Sequence, residues 1–195
     1  VCELRRAGVE TLLVTSGAIA AGREVLGTAP ERQLRDIPTR QVMAAVGQSQ
    51  LMHTYQQMFA SKGFKVAQTL LTTNDLSHRQ SYLNVRNTLR GLLELGVVPI
   101  VNENDVVAVD EIGEVFGDND RLSALVANLV DADLLVILTD IDGLYTADPN
   151  VDSSARLIPL VDRVDQDIEA LAGKDHNPWA RGGMSTKIEA ARLVT

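Results

Sequence analysis

Short apolar runs alternate with segments of helical spacing along this chain, and each apolar run ends in polar residues. Four runs have the length and composition of buried strands: 11–15, 66–71, 97–101 and 134–138. Between them, apolar residues recur at the spacing of amphipathic helices. This alternation predicts an α/β fold, a three-layer α/β/α sandwich with a mostly parallel central sheet. Polar residues after parallel strands then meet at one edge, where open α/β sheets bind their ligands.

The densest polar residues follow the third run, in two groups. Residues 102–105 read Asn-Glu-Asn-Asp, and residues 117–120 read Gly-Asp-Asn-Asp before the next amphipathic segment. A helix N-cap needs one such side chain, and Asp118, Asn119 or Asp120 can provide it. The remaining groups exceed the needs of turns and caps, so the pattern predicts an active site here.

Two further strand ends carry polar groups. Ser16 follows the first run, and Thr139 with Asp140 follows the fourth. Ser16 and the amides around Gly17 suit a ligand at a strand end. A plain serine N-cap with tight helix packing explains the same residues, and the sequence leaves both interpretations open.

The last helix begins with a composition suited to phosphate. Residues 182–187 read Gly-Gly-Met-Ser-Thr-Lys, and glycines before a helix N-terminus with a lysine in its first turn can hold a phosphate group. The order differs from that of a Walker A loop, which excludes that fold. The alternative is a capped helix with an exposed Lys187. Thr186 and Glu189 have capping-box spacing, as do Ser77 and Gln80 before an earlier helix.

Composition excludes several kinds of partner. A formal net charge of −8 and a pI near 4.8 argue against nucleic acid and anionic membrane surfaces, which require a basic footprint. No apolar run approaches the roughly 20 residues of a membrane span. Cys2 is the only cysteine, so an internal disulfide is impossible and a reducing, cytoplasmic setting is favoured.

Carboxylates, amides and one cation at converging strand ends fit a phosphoryl-transfer site, where the protein positions reactants and neutralises charge. A nucleophilic triad is missing from the pattern, since His53, His78 and His176 lie away from the polar groups. The lack of a general base fits an acceptor that is itself a carboxylate, because a pKa of roughly 4 leaves it ionised at neutral pH. Acidic groups near a triphosphate suggest Mg²⁺, held chiefly by phosphate oxygens and water.

These residues together resemble the glutamate 5-kinases, a family within the amino acid kinase superfamily. The resemblance covers nearly the whole chain and rests on six blocks: 15–22 (TSGAIAAG), 45–48 (AVGQ), 102–105 (NEND), 117–120 (GDND), 143–149 (GLYTADP) and 182–187 (GGMSTK). It implies transfer of the γ-phosphate of ATP to the side-chain carboxylate of L-glutamate, the first step of proline biosynthesis.

The resemblance also implies roles for individual residues. Ser16, Asp105 and Asn119 would bind glutamate, Lys187 would contact the transferring phosphate, and Asp120 would orient the catalytic lysines. The nucleotide would contact a larger set: Thr139, Asp140, Arg181, Gly182, Gly183, Met184, Ser185, Thr186 and Lys187. ATP with Mg²⁺ is the expected cofactor, without assigned metal ligands. Feedback inhibition by proline and a homo-oligomer, dimeric or tetrameric, are further expectations.

The whole chain, 1–195, is expected to be one amino acid kinase domain that is cut at both ends. The family's first strand carries a lysine and a glycine-rich turn that complete the phosphate site, and a molecule without them should have little or no activity. Two alternatives remain. Another amino acid kinase, such as an acetylglutamate or aspartate kinase, would share the fold, and a non-catalytic module could bind glutamate or nucleotide without turnover.

Overall fold

The structure is a computed structural model and describes residues 1–27, 37–107, 119–171 and 183–195. The chain divides into two compact units, residues 1–115 and residues 116–195. Among the helices of the described ranges, none is both long and apolar enough to cross a membrane.

The first unit contains five helices and three strands in the described ranges, and the second contains three helices. In the first unit the order is α1 (Cys2–Arg6), β1 (Leu13–Val14), α2 (Ala18–Leu26), α3 (Ile37–Ala60), β2 (Val66–Leu71), α4 (Thr73–Ser77), α5 (Arg79–Glu94) and β3 (Val98–Glu103). In the second unit it is α6 (Asn119–Val130), α7 (Gln166–Leu171) and α8 (Met184–Val194).

The three strands form a parallel sheet in the order β1-β3-β2. Leu13 lies opposite Ile100, and Val66 lies opposite Val98. Every residue of β3 is buried, as expected for the central strand of a sheet covered on both faces. Parallel pairing requires crossover connections, which the intervening helices provide. The predicted α/β class with a parallel sheet is confirmed, and β1 is shorter than the predicted run 11–15.

The turn from α5 into β3 is fixed by Gly96. Its φ of +73° is in the left-handed region, which glycine adopts without the steric cost of a Cβ. The Gly96 N–H donates to the Leu93 carbonyl at 3.0 Å, and the Val97 N–H donates to the Leu92 carbonyl at 2.9 Å. These two bonds form a Schellman motif, which ends α5 and directs the chain into the central strand.

Helices α2 and α3 approach each other through two glycines. A Cβ on Gly22 would overlap the backbone of Met43, and a Cβ on Gly47 would overlap the carbonyl oxygen of Ala18. Both glycines are buried. The pair of helices is therefore held at a distance that no larger residue permits.

The predicted strand 134–138 is wrong. The structure assigns no strand to these residues, and Leu134, Val136 and Leu138 are 77%, 65% and 87% exposed. A strand is stabilised by pairing with a neighbour. Among the described residues, the sheet consists only of β1, β3 and β2, so this run has no partner there.

The predicted capping box at Ser77 and Gln80 is also wrong. The Ser77 hydroxyl donates back to the Thr73 carbonyl at 2.8 Å, and no side chain caps α5. A capping box forms at the start of α4 instead, where Thr72 and Asp75 exchange hydrogen bonds. The signature has the same spacing in both places, and the helix that actually begins at Thr73 determines which pair is used.

Candidate functional site

The first unit brings two of the predicted strand ends to one edge of its sheet. β1 and β3 run parallel with Val14 opposite Val101. Ser16 therefore follows the carboxyl end of β1, and the cluster 102–105 includes the last two residues of β3 and the two that follow. The Thr15 N–H extends the pairing by donating to the Val101 carbonyl at 2.9 Å. This is the edge where open α/β sheets bind ligands.

Ser16 is exposed at this edge and does not cap the following helix. The N-cap of α2 is Gly17, which has a φ of +103° and makes no side-chain capping bond. The interpretation of Ser16 as a plain N-cap is therefore wrong. Its neighbour Thr15 is held in place by a 2.7 Å hydrogen bond between its hydroxyl and that of Tyr55. A rigid neighbour gives the Ser16 backbone a defined position.

Asn102 is buried, and its side-chain amide is held at both ends. Its Oδ1 accepts a 2.9 Å hydrogen bond from the N–H of Glu103, and its Nδ2 donates to Oε1 of Gln48 at 2.9 Å. Gln48 lies in α3, so this bond ties the helix to the end of the central strand. Sequence reasoning gave Gln48 no role. The available signal was a glutamine directly after the closely packed Gly47 inside a long helix.

Asp105 is half-buried at the end of the same cluster. Burial raises the pKa of its carboxyl above the ordinary value of 3.8, while the nearby guanidinium of Arg40 acts in the opposite direction. A carboxylate that has lost part of its hydration and has incomplete charge compensation is suited to bind a cationic group of a ligand.

In the second unit, two predicted residues meet through a partly buried ion pair. The ammonium Nζ of Lys187 lies 3.0 Å from Oδ2 of Asp120, and the two side chains are only 19% and 12% exposed. The Thr186 hydroxyl donates to the same carboxylate oxygen at 3.0 Å. The cation in the first turn of α8 is therefore fixed by a carboxylate in the first turn of α6, and the alternative of an exposed Lys187 is wrong.

The N-cap of α8 is not the residue that the sequence predicted. Gly183 is the N-cap and has an extended backbone, with no side-chain capping bond. The single hydroxyl proton of Thr186 is shared between the Gly183 carbonyl, at 2.9 Å, and the Asp120 carboxylate. Thr186 is the third residue of α8 and not its N-cap, so the predicted capping box between Thr186 and Glu189 does not form. Met184 and Ser185 form the first turn together with Thr186 and Lys187. Backbone N–H groups at this end point out of the helix, as an anion requires.

The other predicted nucleotide residues are not joined to this pair. Thr139 and Asp140 are exposed, and the hydroxyl of Thr139 donates to Oδ1 of Asp140 at 3.3 Å. In the described part of the chain their side chains make no other hydrogen bond. Asn119 is the first residue of α6, beside Asp120. Arg181 and Gly182 lie outside the described residues.

The two units thus contain complementary chemistry. The first has a polar strand edge with a buried amide and a partly dehydrated carboxylate, and the second has a cation positioned at a helix N-terminus. Such a cation can neutralise charge on a phosphoryl group, and carboxylates and amides can hold an amino acid. Within the described ranges, no group of three or more His, Cys, Asp or Glu side chains is placed to hold a metal ion.

A family model described as "Amino acid kinase family" matches residues 1–195. Since the match extends over the whole chain, the protein belongs to the amino acid kinase family, and its predicted α/β fold class is confirmed.

Similar proteins of known name indicate which member of the amino acid kinase family the chain resembles. The chain is 57% identical over its whole length to Glutamate 5-kinase of Dehalococcoides mccartyi, covering 52% of that protein. It is 54% identical over 98% of its length to Glutamate 5-kinase of Geobacter sulfurreducens, covering 50%, and 52% identical over its whole length to that of Methanosarcina barkeri, also covering 50%. The predicted resemblance to the glutamate 5-kinases is confirmed, and the chain spans about half the length of these curated relatives.

Proposed function

We propose that the protein acts as a glutamate 5-kinase, transferring the γ-phosphate of ATP to the side-chain carboxylate of L-glutamate. The product would be L-glutamyl 5-phosphate, the first intermediate of proline biosynthesis. The observation that carries this proposal is the partly buried Lys187–Asp120 pair at the N-terminus of α8, because it holds a cation where a phosphate can be bound. The relatives' names and the high identity across the chain support the same activity.

The roles of the residues that would bind glutamate follow from the resemblance, and they suit the observed chemistry. Ser16 is exposed at the edge of the sheet with its hydroxyl unused in capping, so it can donate to a carboxylate. Asp105 is a partly buried carboxylate, which would pair with the ammonium group of the amino acid. Asn119 would contribute its amide, again by resemblance. A carboxylate acceptor needs orientation rather than deprotonation, so no general base is required.

The residues that would bind the nucleotide and the transferring phosphate lie in the second unit. Lys187 would neutralise charge on the transferring phosphoryl group, and Asp120 would keep its ammonium oriented through the 3.0 Å ion pair. Thr139, Asp140 and residues 181–187 would bind the nucleotide. Mg²⁺ would enter with ATP and supply Lewis-acid stabilisation, with phosphate oxygens and water as its chief ligands.

Further proposals rest on the resemblance. Proline would inhibit the enzyme, and the protein would form a homo-oligomer in the cytoplasm. The net charge of −8 supports the absence of nucleic-acid partners, because such partners require a basic surface.

The test is ADP release by the full-length protein with ATP, Mg²⁺ and L-glutamate, with acetylglutamate and aspartate as parallel acceptors. Glutamate-dependent turnover that proline suppresses is expected. Turnover with another acceptor only would move the assignment to a different amino acid kinase. Ligand-induced thermal stabilisation without any turnover would favour a binding module.

A further inference from the structure

Gln48 carries a buried hydrogen-bond donor that is not satisfied by the described part of the chain. Its side-chain Nε2 is buried and has no hydrogen-bond partner there. A buried N–H group without an acceptor is costly, so native proteins rarely leave one unpaired. An acceptor atom from outside the described part of the chain, such as a ligand oxygen, would satisfy it.

The orientation of this donor follows from the backbone. The N–H of Glu103 can only donate, so the Asn102 atom that it contacts must be the carbonyl oxygen Oδ1. The other end of the Asn102 amide is therefore Nδ2, which donates to Gln48 at 2.9 Å. That bond requires Oε1 of Gln48 on the Asn102 side. Rotating the Gln48 amide by 180° would place two donors against each other, so Nε2 is the end without a partner.

Gln48 lies between the two polar strand ends of the first unit. Its predecessor, Gly47, packs against Ala18 in the first turn of α2, the helix that follows Ser16. Its own side chain reaches Asn102, the first residue of the cluster that contains Asp105. This donor therefore lies at the same carboxyl edge of the sheet at which the acceptor amino acid, glutamate, would bind.

We propose that Nε2 of Gln48 donates a hydrogen bond to a carboxylate oxygen of the bound acceptor amino acid. This rests on the proposed function, because it requires the acceptor to bind at the edge formed by β1 and β3. A carboxylate oxygen is the favoured partner, since a charge-assisted hydrogen bond is about twice as strong as a neutral one. Gln48 is then a substrate-binding residue, and Asn102 keeps its amide in the correct orientation.

Two substitutions separate direct contact from a purely structural role. Gln48→Glu retains an oxygen for Asn102 and replaces the donor with a second acceptor, which would repel a carboxylate. Gln48→Met has similar length and removes both hydrogen bonds without adding charge. Direct contact predicts that the KM for glutamate rises by about tenfold or more in Gln48→Glu and by roughly three- to tenfold in Gln48→Met, because repulsion adds to the lost bond. The KM for ATP should remain within about twofold.

A purely structural role predicts the opposite order, because Gln48→Glu preserves the bond from Asn102 and Gln48→Met destroys it. If Gln48→Met binds glutamate more weakly than Gln48→Glu does, the proposal is overturned. Gln50→Glu makes the same chemical change at an exposed position of the same helix, and its kinetics should match the wild type. Circular dichroism and thermal unfolding of each variant show whether it is folded.

If the buried carboxyl of Gln48→Glu prevents folding, Gln48→Met still keeps the proposal falsifiable. An unchanged KM for glutamate, or an equal rise in the KM values for glutamate and ATP, contradicts it. A selective rise in the KM for glutamate supports the contact only if it exceeds the rise in Asn102→Leu, which breaks the same Asn102–Gln48 bond and leaves the Gln48 side chain in place. The proposed function is tested separately by the wild type. Glutamate-dependent turnover by the wild type with no selective effect at Gln48 defeats this inference only, whereas a wild type without such turnover defeats the proposed function first.

Discussion

The polar groups of the two units are satisfied in different ways. In the second unit, the charges of Asp120 and Lys187 neutralise each other at 3.0 Å with the Thr186 hydroxyl as a further donor. In the first unit, the amide of Gln48 has an end without a partner among the described residues, and Asp105 has a carboxyl whose pKa is raised by burial. The charges of the Asp120–Lys187 pair are therefore compensated within the protein, whereas Gln48 and Asp105 carry unfavourable contributions that a ligand can relieve.

This contrast fits the division of labour in phosphoryl transfer. A cation that must stabilise developing charge is most effective when it is fixed in advance, because no reorganisation is then needed during the reaction. A site that binds and releases a small amino acid gains affinity from groups that lack partners in the free protein. Variants in the two units should consequently affect different kinetic constants.

The largest effect is expected for Lys187→Ala. Loss of a charge-stabilising donor commonly lowers kcat by about 100- to 1,000-fold, and the KM for glutamate should change far less. Steady-state kinetics with varied glutamate measures both. Arg192→Ala, which removes a cation of the same helix from an exposed ion pair, is the control and should remain near wild-type activity. Equal changes in kcat and glutamate affinity for Lys187→Ala would contradict the assigned role.

Gly47→Ala should destabilise the first unit by roughly 1–3 kcal/mol, because the added methyl group overlaps the backbone of α2. Gly91→Ala makes the same change in the last turn of α5, where the space around the position is open. It should stabilise the protein by about 0.5–1 kcal/mol through helix propensity. Chemical denaturation measures both free energies of unfolding. A stabilising Gly47→Ala would show that α2 and α3 can separate at no cost.

Asp105→Asn should raise the KM for glutamate by roughly tenfold, since a charged hydrogen bond to the substrate's ammonium group is lost, and kcat should be less affected. The same variant should be more stable than the wild type at neutral pH. Because the folded-state pKa lies above 3.8, the folded protein binds this proton more tightly than the unfolded chain, so the ionised carboxyl opposes folding at neutral pH.

That stabilisation should disappear as the pH falls through the folded-state pKa of Asp105 and below 3.8, where the carboxyl is protonated in both states. Thermal unfolding between pH 7 and pH 3 gives the difference between variant and wild type. Asp133→Asn, which makes the same chemical change at an exposed position, is the control. A variant that is less stable than the wild type at pH 7 would mean that Asp105 is stabilised by its surroundings.

The smallest effect is expected for Thr186→Val, which keeps the shape of the side chain and removes the hydroxyl that donates to Asp120. Lys187 remains paired, so kcat should fall by only about three- to tenfold, the value of one hydrogen bond. The ratio of the kcat losses for Thr186→Val and Lys187→Ala compares the contribution of the Thr186 hydroxyl to kcat with that of the Lys187 ammonium group. A loss as large as that of Lys187→Ala would make the hydroxyl an equal partner in the site.

Sequence periodicity predicted the elements that have a partner within the described sheet. The strand 66–71 has the predicted bounds, and β3 was predicted from the apolar run 97–101, which is buried because it is the central strand. The same type of run at 134–138 forms no strand and is exposed. Composition reports that a segment is suited to burial, whereas pairing depends on residues distant in sequence.

The candidate site was predicted in part for a related reason. Ser16, Asp105, Asp120 and Lys187 stand at strand ends or helix starts, where local sequence signals are strong. Gln48 lies inside a helix, and its link to the polar strand end is a hydrogen bond from Asn102, which is 54 residues away in the chain. The spacing of a capping box likewise did not show which of two neighbouring pairs, Thr72 with Asp75 or Ser77 with Gln80, would be used.

The glycine contact between α2 and α3 also limits how this sequence can change over evolutionary time. Gly22 and Gly47 lie at one crossing, since a Cβ on Gly47 would also overlap the backbone nitrogen of Gly22. Each already has the smallest possible side chain, so a larger residue at one position cannot be compensated by a smaller one at the other. A lineage could replace either glycine only by moving a whole helix, which would displace the backbone that leads from Ser16 and the helix that carries Gln48. The two positions should therefore drift far less than the exposed helix faces around them.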